Sequence, residues 1–131
     1  MVTMTYHFSK TIAGSFDEAI IRATQALKRE GFGILTDIDV KATLHKKLGV
    51  AFHPYRILGA CNPEMAYRAL QSENKIGTML PCNVIVQEQT PGHVEVSAVD
   101  PVASMQAIEN PSLGEVAAQV RAKLKNVIDS L

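Results

Sequence analysis

Cys82-Asn83-Val84-Ile85-Val86-Gln87-Glu88-Gln89-Thr90-Pro91-Gly92-His93-Val94-Glu95-Val96-Ser97-Ala98-Val99 is the stretch on which the fold turns. Two alternating runs flank a Thr-Pro-Gly turn. Cys82, Val84 and Val86 share one face of the first run, and Val94, Val96 and Ala98 share one face of the second. Pro followed by Gly between such runs favours a hairpin, with Gly taking positive φ. The spacing therefore predicts antiparallel neighbours over Cys82–Glu88 and Val94–Val99.

Working outward, Asn62-Pro63-Glu64 has the form of a helix start. Asn caps, Pro occupies the first turn where its missing N–H costs nothing, and the acid lies near the positive end of the dipole. Met65, Ala66, Ala69 and Leu70 make its inner stripe. Asn110-Pro111 repeats the device and opens a long amphipathic helix whose stripe is Leu113, Val116, Ala117, Val120, Leu124, Val127 and Leu131. Before Asn62, Tyr55 to Cys61 reads as a strand entered through His53-Pro54. Asp39 caps a short helix, Val40 to Leu48, with Val40, Leu44 and Leu48 expected inward, Lys41, His45, Lys46 and Lys47 outward, and Gly49 as its stop.

Phe32, Ile34, Thr36 and Ile38 fall on one face of another strand. Ahead of it, Ser15-Phe16-Asp17-Glu18 is a capping box, and Phe16, Ile20, Ala23 and Leu27 continue as an apolar stripe to Gly31. Met4 to Ser9 alternates weakly and reads as the first strand. The order is strand, helix, four strands, helix, with short helices on either side of the third strand. It predicts an α+β two-layer sandwich, a mainly antiparallel sheet with helices on one face. The alternative is a more parallel α/β arrangement in which the Met65 helix is a true crossover.

Composition bounds the function. The chain has 131 residues, enough for one domain, 1–131, with its own core; 47% hydrophobic and 20% charged residues exclude disorder. Thirteen basic residues balance thirteen acidic ones, so no net field draws in nucleic acid or an anionic membrane. Two cysteines are too few for a secreted disulfide scaffold, and the first residues lack a signal-peptide pattern; a cytoplasmic protein is expected. No apolar run reaches the roughly 18 residues a membrane span needs, and there is no biased segment or useful repeat.

The chemistry-bearing residues are few. Cys61-Asn62-Pro63 and Pro81-Cys82-Asn83 are near mirrors, and no nucleotide loop, metal box or catalytic triad accompanies them. Gly31-Phe32-Gly33 follows a helix and precedes a strand, the reverse of a dinucleotide loop. If the third and fourth strands pair antiparallel, Cys61 and Cys82 come to one rim of the sheet. Cys61 also precedes a helix N-terminus, which favours a thiolate, while Glu64 opposes it.

Three readings of the cysteines follow. They are small buried hydrophobes, or a thiol-handling pair that needs Cα atoms within about 7 Å, or part of a soft-metal or haem site that is one or two ligands short. His7, His45, His53 and His93 have no metal-binding spacing, so no metal is assigned, and His53 reads as a loop residue without a catalytic role. Asn62 is explained as a cap. Asn83, at the start of a strand where Asn is depleted, is not, and it joins Cys61, Cys82 and Asn62 as a ligand-binding or redox candidate.

Four stretches, Glu30 to Gly33, Thr36 to Leu44, Pro54 to Pro63 and Leu80 to Val84, together closely resemble the bacterial and archaeal family called domain of unknown function 302. The resemblance spans nearly the whole chain. It implies a fold similar to the TATA-binding-protein-like and helix-grip class, a curved sheet with a β-α-β4-α core, and homodimers. It carries no catalytic residue, and no cofactor is named by it or by the residues. The expectation is a small protein without recognised enzymatic activity that binds a small ligand or partner at the Cys61/Cys82 rim. Two alternatives stand beside it: a thiol-dependent redox protein or sensor, and an apolar ligand held between the sheet and the C-terminal helix.

Overall fold

The computed structural model describes residues 5–131. The Thr-Pro-Gly hairpin forms as the alternation requires. Strand β4 (Cys82–Thr90) pairs antiparallel with β5 (His93–Val99), and Gly92 turns the chain at φ +84° while its N–H donates to Glu88 Oε2 at 3.2 Å. Around it stand β1 (His7–Ile12), β2 (Gly33–Asp39) and β3 (Tyr55–Cys61), in the order β1-β5-β4-β3-β2, every neighbour antiparallel. The parallel alternative is thereby excluded. Met4, placed at the start of the first strand, lies outside the described residues, and β1 runs to Ile12 rather than ending at Ser9.

Helix α1 (Phe16–Arg29) crosses from the β1 edge to the β2 edge. The Ser15 half of its capping box forms, Ser15 Oγ accepting from Glu18 N at 3.1 Å, while no return bond from Ser15 N to the Glu18 carboxylate is made. Ala19, Ala23, Ala26 and Leu27 are buried, and Phe16 and Ile20 pack against the same core. On that core face stand Val84, Val86, Val94, Val96, Leu58 and Ala60 of the sheet. The long α5 (Pro111–Asp129) completes the layer, capped by Asn110 Oδ1 accepting from Leu113 N at 3.3 Å; Leu113, Val116, Ala117, Val120, Leu124, Val127 and Ile128 are buried. Leu131 lies beyond the helix and packs only partly on the core.

Two stripes differ from expectation. A bulge between Ile34 and Thr36 breaks β2, so Ile34 pairs with Ala60 on the core face while Thr36 and Ile38 pair with Gly59 and Ile57 on the other. One extra residue reverses every side chain after it. Leu35 is left 67% exposed. Helix α2 (Val40–Leu48) has the expected bounds, its Asp39 cap and Gly49 at φ +67°, but it buries no residue and leaves Leu48 69% exposed, because nothing packs on its outer turn.

Helix α3 (Pro63–Ser72) starts at its Asn62 cap, and a 3-10 turn (Ile76–Met79) leads to Pro81, which follows Leu80 through a cis peptide bond. The short α4 (Pro101–Ser104) was not expected. Asp100 caps it, accepting from Val102 N at 3.0 Å and Ala103 N at 3.4 Å, and also accepts from Arg121 Nε at 3.1 Å. Asp100-Pro101 is a third copy of the cap-then-proline device, legible in the sequence. Among the described residues, no helix is long and apolar enough to cross a membrane.

Candidate functional site

Where β3 ends and β4 begins, the helical layer does not close on the sheet. α3 leaves β3 directly at Asn62 and presents Met65, Ala66 and Ala69 toward the N-terminal half of α5, which answers with Leu113, Val116, Ala117 and Val120. The small side chains leave a cleft of about 340 Å³, floored by Ala60, Cys61 and Cys82 and closed at the ends by Leu80, Pro101 and Met105. Only Ala69 of the expected α3 stripe is buried, and Leu70 is 44% exposed, because the stripe faces this opening rather than a packed partner. Leu35, pushed out by the bulge, forms part of the mouth.

Among the described residues, no Lys, Arg, His, Asp or Glu lines the cleft. Apart from the Asn62 side chain its lining is mostly hydrocarbon and sulfur, which favours an apolar occupant over water.

The structure brings three of the four sequence candidates here. Cys82 pairs in register with Ala60, the residue before Cys61, so the two cysteines come to one rim, both as free thiols. Burial pushes the Cys82 thiol up to about 11, and nearby Cys61 adds to it. Cys61 is half-buried and the more accessible of the two. Asn62 borders the cleft while tying two elements: its Oδ1 accepts from Met65 N at 3.3 Å, and its Nδ2 donates to Glu30 O at 3.3 Å, the end of α1.

Asn83 does not join them. It pairs with Gly59 and points to the opposite face of the sheet, where it is exposed. Gly59 itself is required by close approach: an added Cβ would lie 2.8 Å from Pro81 Cγ and collide with the Thr36 hydroxyl. His53 lies in the loop before β3, as expected, but is half-buried there, its Nε2 sharing a hydrogen bond with Gln87 Oε1 at 3.0 Å and its ring packed 4.1 Å from that of Phe52. Among the described residues, no group of three or more His, Cys, Asp or Glu is placed to hold a metal ion. The sequence reading missed Leu80, Pro101 and Met105 as cleft residues; the Asp100-Pro101 cap was the signal that would have placed the last two.

No curated protein matches the chain. The family model described as "Domain of unknown function DUF302" matches residues 8–131. A crystal structure of an uncharacterized conserved DUF302 protein from Bacillus stearothermophilus is similar at a TM-score of 0.88 and 31% identity, over 96% of this chain and 98% of that one.

Proposed function

The chain belongs to the DUF302 family, and we propose that it binds a small, uncharged, largely apolar molecule in the cleft between the sheet and helices α3 and α5, with Cys61 and Cys82 on the wall. One observation carries this: a cleft of about 340 Å³ lined, among the described residues, without a single charged side chain and left open at Leu35 and Leu70. That volume falls in the range of roughly 300 to 1,000 Å³ typical of small-molecule sites. An ionised ligand would lose its hydration there without a counter-charge.

The test is native mass spectrometry of the freshly purified protein, with titration of the uncharged dye Nile red. The expected result is a retained apolar molecule or a blue-shifted, saturable dye signal that Ala117→Phe, which fills the cleft, abolishes. Absence of both from the unsubstituted protein, or dye binding that survives Ala117→Phe, would sink the proposal.

A second reading, thiol redox, is favoured by two free cysteines on one wall. In it a small disulfide such as oxidised glutathione takes two electrons and two protons from Cys61 and Cys82, which join as a disulfide. Incubation with that oxidant followed by intact-mass measurement tests it: loss of two hydrogens supports it, and stable mixed disulfide on Cys61 alone refutes it. Either reading suits the cytoplasm, where both thiols would stay reduced. The proposal also includes a homodimer, since Leu48, Val50 and Phe52 around α2 are exposed. Sedimentation equilibrium giving a monomer at all concentrations would remove that part.

A further inference from the structure

The sheet face away from the helices carries a second, differently built concavity. Alternation puts His7, Ser9, Ser97, Glu95, Asn83, Gln87 and Tyr55 on this side of β1, β5, β4 and β3. A groove of about 400 Å³ runs across them, floored by Ile85 and Val99, with Tyr6 and His7 at one side and Tyr55 at the other. Neither cysteine touches it, so it stands independently of the cleft.

Its polar groups are organised by hydrogen bonds. Gln87 is held between two partners, its Oε1 facing His53 Nε2 at 3.0 Å and its Nε2 donating to Glu95 Oε1 at 3.5 Å. That relay aims the half-buried Glu95 carboxylate across the groove. On the β1 side, Ser9 Oγ lies 2.7 Å from both His7 Nδ1 and Ser97 Oγ.

The charge balance selects the ligand. Among the described residues, no Lys or Arg lines the groove and Glu95 takes part in no ion pair. A partly desolvated carboxylate without a counter-ion repels anions and rewards a cation. Tyr6, Tyr55 and Glu95 line the same groove, and burial raises the Tyr55 hydroxyl above its usual value, with Tyr6 and Glu95 adding to it. Aromatic rings bordering a carboxylate are the arrangement in which an organic ammonium gains from both the ring quadrupole and the charge.

We propose that this outer groove is a binding site for a small organic cation, its ammonium head against Glu95 between Tyr6 and Tyr55, and its carbon groups on Ile85 and Val99. A bare metal ion is disfavoured, because Glu95 is the only carboxylate among the described residues of the groove.

The experiment uses the full chain, choline as probe, and 3,3-dimethylbutanol, its uncharged isostere, as control, followed by amide NMR shifts. Choline is expected to saturate shifts on β1, β4 and β5, and to bind at least about tenfold tighter than the isostere, the margin of one partly desolvated cation–π and charge contact. Glu95→Gln should cost about the same factor. Tyr6→Ala, at a residue 68% exposed whose ring meets only that of His7 among the described aromatic pairs, should weaken choline several-fold, which keeps the test decisive if Glu95→Gln disturbs the sheet. Equal affinity for the two probes, no saturation by choline, unchanged affinity in both variants, or shifts that map to the α3/α5 cleft would each overturn the proposal.

Discussion

The two halves of α5 bury their side chains almost equally and do so for different ends. Leu124, Val127 and Ile128 sit in a closed core with the sheet, whereas Leu113, Val116, Ala117 and Val120 line the cleft. No residue of α1 borders the cleft, while all four of α3's inner stripe, Met65, Ala66, Ala69 and Leu70, do. Both helices bring alanines. In α1 they are buried against the sheet, Ala23 completely; in α3, Ala66 and Ala69 border the cleft, which is spanned to α5 by Arg68 Nη1 donating to Gln119 Oε1 at 2.9 Å and by Asn110 Nδ2 donating to Ser72 O at 2.7 Å. Accessible surface alone therefore does not distinguish a packed core from a ligand site. The presence of a partner across the gap does.

The sharpest way to break that contrast is one substitution made at both ends of the helix. Leu124→Ala should cost about 3 to 5 kcal/mol, because a closed core adds a cavity term to the lost transfer energy. Leu113→Ala should cost only about 2 kcal/mol, the transfer share, since it enlarges a space already open. Urea unfolding midpoints measure both. Equal costs would mean that the cleft is packed as tightly as the rest.

Reactivity gives the next effect. A thiol near 11 in place of the usual value of 9.0 holds about a hundredfold less thiolate at neutral pH, so Cys82 should alkylate about a hundredfold more slowly than in the unfolded chain. Peptide-resolved iodoacetamide kinetics would show it. The same shift has a sign for stability. Folding favours the neutral thiol, so its contribution is complete below the unfolded value and lost as pH rises toward 11. The urea midpoint should fall between about pH 9 and 11 in the parent and less so in Cys82→Ala. Fast labelling of native Cys82 would show its wall of the cleft to be open.

Filling tests the contrast from the other direction, with smaller changes. Ala23→Leu should lose about 1 to 3 kcal/mol by overpacking the core. Ala69→Leu, directed into the cleft, should stay within about 0.5 kcal/mol of the parent or gain stability by covering apolar surface. Equal losses would close the cleft as a concept.

The sequence made the local devices legible. Ser15, Asp39, Asn62 and Asn110 cap helices as their spacing required, and the β4–β5 hairpin followed from Pro91-Gly92, because caps and tight turns depend on a few neighbouring residues. The α+β sandwich and the shared rim of Cys61 and Cys82 followed from those. The β2 bulge was not legible, since a one-residue slip is decided by pairing with β3, and the stripe through Thr36 and Ile38 was read onto the wrong face. The α2 stripe erred because periodicity shows which residues align, not whether anything covers them. Asn83 was a matter of consistency: if Cys82 and Val84 face the core, alternation sends Asn83 outward to the groove. The cleft lay beyond reach, because space between α3 and α5 is a property of two helices brought together by the whole chain.

The smallest predicted effect lies at the edge where neither packing nor cleft contributes. β2 exposes most of its length, and its tie to β3 on the core-facing side is a two-point pair: Arg56 Nε donates to Asp37 Oδ1 at 2.7 Å and Nη2 to Oδ2. The Arg56 hydrogen bond holds the Asp37 carboxyl below its usual range, partly offset by burial. A lowered acid stabilises the fold above its unfolded value of about 4, and that gain is lost as pH falls through the lower folded value. The pair is more than a third exposed on the Asp37 side, so solvent screening limits it, and Asp37→Asn should cost less than about 1 kcal/mol at pH 7. The difference from the parent should shrink with added salt and vanish in strong acid, where Asp37 itself is neutral. A loss near that of Leu124→Ala would place β2 inside the cooperative core, and the division of the molecule into a closed half and an open one would have to be redrawn to include its outermost strand.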